Sequence, residues 1–370
     1  MPRRAIATGH AAWPETWSIR HTLRILRRPD CRQVWVYLLR CNNRLRLTDR
    51  RPSLPPPTMN THSKYQQLLD ACRTLPPMPT AVVHPCDRHA IEGAIGAARL
   101  GLISPILVGP EARIHAAAAL AGIDLRGVPI VDVPHSHAAA AKAVELALQG
   151  KVEAIMKGSL HTDELMGAVV RREGGLRTAR RISHCFVMDV PGYDQPLIIS
   201  DAAVNIQPTL AEKVDIVQNA IDLGHALHFP EVRVAILSAT ETVNPKVAST
   251  VEAAALCKMA DRKQITGGLL DGPLALDNAI SPAAASIKQI DSPVAGQANV
   301  LIVPDMEAGN MLAKSLSFLA EADAAGIVLG ARVPIILTSR ADSELARLGS
   351  CAVAVLVALA RRTAPPKALA

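Results

Sequence analysis

Polar side chains gather where apolar runs stop, and some of these junctions hold residue types that bind anions and move protons. The run PIILTSRADSE (334–344) ends in Ser339, Arg340, Asp342 and Glu344. A hydroxyl donor, a guanidinium fork and carboxylates together can hold a phosphate-like dianion, offset charge growing on an oxygen and accept a proton. MKGSLHTDE (156–164) stops at Gly158 and then offers the hydroxyls of Ser159 and Thr162, with Thr162 and Asp163 placed to cap a following helix. A helix amino terminus takes phosphate readily, and plain capping accounts for the same residues. His161 beside them fits a general base or a structural role. IVPDMEAGNMLAKSL (302–316) sets Asp305, Gly309 and Asn310 at another turn, with Lys314 one helical turn further. RREGGLRTARR (171–181) places five arginines around a Gly-Gly turn; Arg177, next to the turn, is the one chosen for phosphate, while a solvated loop accounts for others.

Other chemistries lack their residues. No GxGxxG or Walker lysine loop follows a first strand, and TGGLLDG (266–272) has the wrong spacing for either. Asp271 and Asp277 stand six apart with a proline between them, a weak basis for holding Mg²⁺. The seven cysteines are scattered without a CxxC pair, which argues for a reducing compartment and against zinc. Apolar runs such as SCAVAVLVALARR fall short of the roughly 18 residues a membrane span needs, so the expected location is cytoplasmic with no membrane partner.

The formal charge of +7 on 370 residues points at first to nucleic acid. Residues 1–58, however, hold twelve arginines, three acidic residues and all three tryptophans, leaving 28 basic against 30 acidic side chains in residues 59–370. The body is therefore not basic, and no nucleic-acid partner is expected. The arm ends in RRPSLPPPT, a polyproline-type stretch foreign to a packed domain. Residues 1–58 read as a disordered basic arm or a start-site artefact, with the functional domain starting near Met59; a mitochondrial presequence fits less well, for want of serines and an amphipathic face.

The elements that must position these residues are legible as alternation. Nine continuous apolar runs (80–84, 104–109, 128–133, 153–158, 185–190, 196–201, 232–238, 300–305 and 333–339) read as strands buried on both faces. Helix-period segments such as AAAAKAVELALQ (138–149) and TLAEKVDIVQNAIDLGHAL (209–227) lie between them. The pattern predicts a three-layer α/β protein, and the length predicts two domains with the site in the cleft between them.

KGSLHTDELM, SDAAVNIQPTLAEKVDIVQNAI, LSATETVNPKVAST, QITGGLLDGPLALDNAIS, SPVAGQANVLIVPDMEAGNMLAKSL and PIILTSRADS, in order between Pro79 and Ala360, resemble the phosphate acetyltransferase and phosphate butyryltransferase family. The nearest likeness is to the transferase portion of bifunctional enoyl-CoA hydratase/phosphate acetyltransferase proteins. Hydratase activity is not carried over, because no hydratase domain fits in residues 1–58.

The resemblance implies a fold similar to isocitrate and isopropylmalate dehydrogenases, with two α/β/α domains about a cleft. Residues 59–178 plus 326–365 would form domain I and 179–325 domain II, in a homodimer. The implied reaction joins acyl-CoA and phosphate to give acyl phosphate and CoA. It uses CoA and acyl-CoA as substrates and needs no permanently bound cofactor, metal or nicotinamide. Ser339 and Arg340 would occupy the family's Ser-Arg pair. In the acetyl branch a basic aspartate follows seven residues after the serine; that position is Ala346 here, so Asp342 becomes the base, with Glu344 the other candidate. The family's arginine after the strand-end loop is replaced by Gly167, which leaves Arg177 to contact phosphate. Ser159, Thr162, Asn310 and Lys314 align with substrate-binding positions, although the tyrosine before the lysine is Ala313. Two alternatives stand beside this reading. One is a catalytically weak protein that binds acyl-CoA or acyl phosphate, and the other is a metal-dependent NAD-linked dehydrogenase of the same fold, which would need clustered carboxylates or histidines.

Overall fold

The computed structural model of the chain describes residues 63–338 and 342–363; the basic arm and the pair Ser339–Arg340 lie outside the described residues. Helix α1 (Ser63–Cys72) leads into β1 (Met78–Val83), α2 (Arg88–Arg99), β2 (Ile103–Gly109), α3 (Glu111–Ala121), β3 (Ile130–Asp132), α4 (Ser136–Leu148), β4 (Ala154–Lys157) and α5 (Thr162–Val169). Local chemistry sets these boundaries. Asp87 starts α2 by accepting a hydrogen bond from Ala90 N at 2.8 Å, and α3 ends at Gly122, whose φ of 66° suits a residue without a Cβ.

The chain continues through β5 (Ser183–Asp189), β6 (Leu197–Ser200), α6 (Leu210–Ala226), β7 (Arg233–Leu237), α7 (Ala248–Asp261), β8 (Leu269–Leu274), α8 (Leu276–Ile280), α9 (Pro282–Ile287), β9 (Val300–Ile302), α10 (Met306–Leu319) and β10 (Asp323–Leu329). It closes with β11 (Ile335–Ile336) and α11 (Glu344–Thr363).

All eleven described strands form one sheet in the order β3-β2-β1-β4-β11-β10-β5-β6-β9-β7-β8. The five strands from β3 to β11 are mutually parallel, as are the four from β6 to β8. Between these halves, the pairs β11·β10, β10·β5 and β5·β6 are antiparallel. Three reversals turn the second half around, so the carboxyl ends of β4 and β11 lie at one edge of the sheet and those of β6 and β9 at the opposite edge.

Alternation along each strand builds three layers. Ala154 and Met156 face one side of β4, where a single core runs beneath both halves and takes in α1, α2, α6 and α11. Ile155 faces the other side, where α4 and α5 cover the first half only. A separate cluster under α8 and α10 covers the second half. One layer is thus continuous while the other is divided. Each large aliphatic side chain buried here contributes roughly 1.5–3 kcal/mol by leaving water.

The α/β class follows the sequence pattern, but two strands escaped it. β8 contains Asp271, Gly272 and Pro273, which interrupt its apolar run; as the last strand of the sheet order it is an edge, where proline is tolerated. β10 begins Asp-Ala-Ala-Gly, and Gly326 is required because Leu337 O and His184 Nε2 crowd the place of a Cβ. No described helix is long and apolar enough to cross a membrane.

Candidate active site

The exits of β1 and β4 are stitched together. Gly158 N donates to Val83 O at 2.9 Å and Ser159 N to His84 O at 3.0 Å, with Gly158 so close to the Val83 carbonyl that no Cβ fits. Ser159 Oγ donates to His84 O at 2.6 Å and accepts from Cys86 N at 3.0 Å. Its hydroxyl therefore fastens the loop. His84 Nδ1 is 3.3 Å from that hydroxyl, yet Nε2 faces the Arg113 guanidinium at 3.5 Å where a nucleophile's base would have a carboxylate. Burial, followed by the Arg113 charge, pushes the His84 pKa below the usual histidine value. The Ser-His pair is a neutral joint and not a nucleophile.

Beside this joint lies a small cleft that is half open to solvent. The start of α2 (Asp87, His89, Ala90), the end of β4 (Met156, Lys157, Gly158), Thr338 and Arg347 line it. Thr338 directly precedes Ser339–Arg340, so the described walls end where the sequence sets its strongest candidates. Lys157 and Arg347 were not among those candidates. The traces they leave in the sequence are faint: a lysine closing the apolar run EAIMKG, and an arginine between Ala346 and Leu348 at the start of an apolar helix.

Past the cleft, Ser343 Oγ accepts from Ala346 N at 3.0 Å and so caps α11. Asp342 is half-buried, and its charge helps to raise the Tyr65 pKa, after burial, Asp323 and Asp189. Ala346 is 6 % exposed, and its carbonyl accepts the Ser350 hydroxyl at 2.8 Å. Glu344 is exposed, with Oε1 beside Gly96 of α2.

The other candidates scatter. The position capping α5 is His161, which makes no side-chain cap bond; Thr162 is the first helical residue and is exposed, so the expected Thr162–Asp163 cap does not form. Asp163 and Glu164 fill the first turn with negative charge, which opposes phosphate there. Gly167 is exposed with open space where a Cβ would stand. Arg177, also exposed, bridges Ala331, at the sheet edge where β11 begins and not where it ends. In the same loop Arg180 pairs with Asp222 at 2.5 Å and Arg181 with Glu212 at 2.8 Å, so these two are structural.

Asp305 Oδ1 caps α10 by accepting from Ala308 N at 2.8 Å, and Asn310 Nδ2 donates to Ala202 O at 3.2 Å, both at the opposite edge from Thr338. Lys314 is exposed on α10. Asp271 Oδ1 accepts from Gly272 N at 2.8 Å, while Asp277 meets Lys288 at 3.3 Å. Among the described residues no group of His, Cys, Asp and Glu could hold a metal ion.

Residues 135–355 match the family model described as "Phosphate acetyl/butaryl transferase". The chain is 65 % identical to a phosphate acetyltransferase of Rhizobium meliloti, over 82 % of this chain and 96 % of that one. It is 40 % identical to a phosphate butyryltransferase of Clostridium acetobutylicum, over 74 % of this chain and 90 % of that one. A crystal structure of a branched-chain phosphotransacylase from Enterococcus faecalis V583 superposes with a TM-score of 0.67 at 27 % identity, covering 76 % of this chain and 99 % of that one. The chain belongs to the phosphate acetyl/butyryl transferase family.

Proposed function

We propose that this chain is an acyltransferase that moves a short acyl group between CoA and orthophosphate, with acetyl as its preferred acyl group. The observation that carries this reading is 65 % identity to a phosphate acetyltransferase over nearly all of that relative, against 40 % to a butyryltransferase. A phosphate oxygen attacks the thioester carbonyl, the carbon–sulfur bond breaks, and CoA leaves as its thiolate. In reverse, the thiol proton must be removed before sulfur attacks, because a free thiol near pKa 8.5 is mostly protonated at neutral pH. Arg340 offsets charge on the carbonyl oxygen and on phosphate, Ser339 donates to the same centre, and Asp342 accepts the proton.

Support for this assignment is positional: Thr338 brings the chain to the cleft, and Asp342, where the described chain resumes, is half-buried. Ser159 shapes the cleft by fastening the loop that follows Gly158. The two sheet halves act as domain I (59–178 plus 326–365) and domain II (179–325), in a homodimer. The five described cysteines are all free, which fits a cytoplasmic setting.

The test is phosphate-dependent CoA release from acetyl-, propionyl- and butyryl-CoA with EDTA present, followed with a thiol reagent. Release that requires phosphate and is fastest with acetyl-CoA is expected. CoA binding without release would support the weak binding protein, and release that EDTA abolishes would support a metal enzyme.

A further inference from the structure

Arg347 is a buried cation without a counter-charge among the described residues. It is 8 % exposed, and its Nε has no hydrogen-bond partner. Among the described residues no carboxylate forms an ion pair with it. Glu92 lies close enough for Arg347 to help lower its pKa, yet that carboxylate is held by Arg88 at 2.7 Å. Glu344 is exposed and lies against Gly96. Asp87, the carboxylate on the cleft wall, is occupied as the cap of α2. Leaving a guanidinium in this state is unfavourable unless an anion arrives from outside.

The fold directs the group toward such an anion. Arg347 leaves the first turns of α11 and crosses α2 at Gly93, where its Cδ passes 2.9 Å from the place a Cβ would occupy. A larger residue at that point would block the stem. The side chain then lines the cleft with Lys157, itself 9 % exposed, beside Gly158 and Thr338. A planar guanidinium fork and an ammonium group on the walls of one cleft, both largely buried, match the oxygens and charge of a phosphate dianion.

We propose that Arg347, together with Lys157, binds orthophosphate at the ends of β4 and β11, and binds the phosphoryl end of acyl phosphate in the reverse direction. The proposal rests on the acyl-transfer reading above and adds to it the residues that hold the second substrate.

Steady-state kinetics of the full chain carrying Arg347→Met and Arg347→Lys test this. Arg347→Met should raise KM for orthophosphate, and for acetyl phosphate in reverse, by about tenfold or more, with KM for acetyl-CoA within about twofold of wild type. Arg347→Lys should recover part of the loss. An unchanged phosphate KM would overturn the proposal. So would a rise confined to acetyl-CoA, which would assign the guanidinium to the diphosphate of CoA, or a fall in kcat with both KM values unmoved.

Thermal melting in orthophosphate gives a second readout that does not need activity. Phosphate should raise the wild-type Tm and raise that of Arg347→Lys less; equal rises would overturn the proposal even if Arg347→Met fails to fold. A wild-type chain that melts higher with phosphate yet releases no CoA would remove the transfer reading and leave the phosphate site standing.

Discussion

At the carboxyl end of β6, Asp201 accepts hydrogen bonds from the backbone N–H groups of His184, Ala203, Val204 and Asn205 and from Asn205 Nδ2, at 2.5–3.2 Å. At the carboxyl ends of β4 and β11, Arg347 is equally well buried and its Nε has no partner. Both regions collect charged and amide side chains at strand ends, and the residue types alone do not separate them. The difference lies in whether internal donors and acceptors complete each group's bonding. A completed network stabilises the loop that carries it, whereas an incomplete one is tolerated where a ligand completes it. Changes in the first half should therefore damage turnover at nearly constant stability, and changes in the second half should damage stability first.

The largest effect falls on the first half. Arg340→Ala should lower kcat/KM for CoA release by about 10²–10³, as removal of one oxyanion-stabilising donor does, with Tm nearly unmoved. A near-normal rate would place the chemistry elsewhere. Next comes Asp201→Ala, which strips the acceptor from several buried N–H groups and should cost about 3 kcal/mol in urea unfolding. A variant of wild-type stability but selectively dead in turnover would break the comparison.

The third effect is on pH dependence. Burial lowers His184 from 6.5 to about 4, partly opposed by the Asp201 charge. Above pH 6.5 the ring is neutral whether the chain is folded or not. Below it the unfolded chain takes up a proton that the folded chain refuses until about pH 4, so stability is lost as pH falls through that window. Between pH 7 and pH 5 the contribution is about 2 kcal/mol, and His184→Asn should flatten the fall in Tm by that share. An unaltered slope would mean that the folded chain protonates His184 readily. The smallest effect is at the capping box of α6, where Thr209 Oγ1 accepts from Glu212 N and Glu212 Oε2 accepts from Thr209 N at 2.9 Å. Thr209→Ala should cost about 1 kcal/mol and leave the KM values alone.

Much of the sheet was legible because buried strands are continuous apolar runs: VRVAILS and VLIVPD led directly to β7 and β9. β8 and β10 were missed for opposite reasons, since one hides proline at an edge and the other needs glycine where neighbours crowd it. The strand reversal through β10 and β5 was also invisible, because hydrophobicity carries no direction. That reversal sends the Asp305–Asn310 turn to the edge opposite Thr338, although its sequence looks as site-like as TSRAD. The resemblance singled out Ser339 and Arg340, whereas Lys157 and Arg347 look like ordinary surface residues in the sequence. What sets them apart is burial, a property of packing across α2, β4 and α11 that no short stretch of sequence contains.

Hydrogen exchange of the full chain with and without acetyl phosphate tests most directly the claim that the two edges differ in kind. The account predicts slower exchange in residues 84–90, 157–160 and 337–347, with residues 200–206 and 303–311 unchanged. Protection at 200–206 and 303–311 with none at the first set would contradict it.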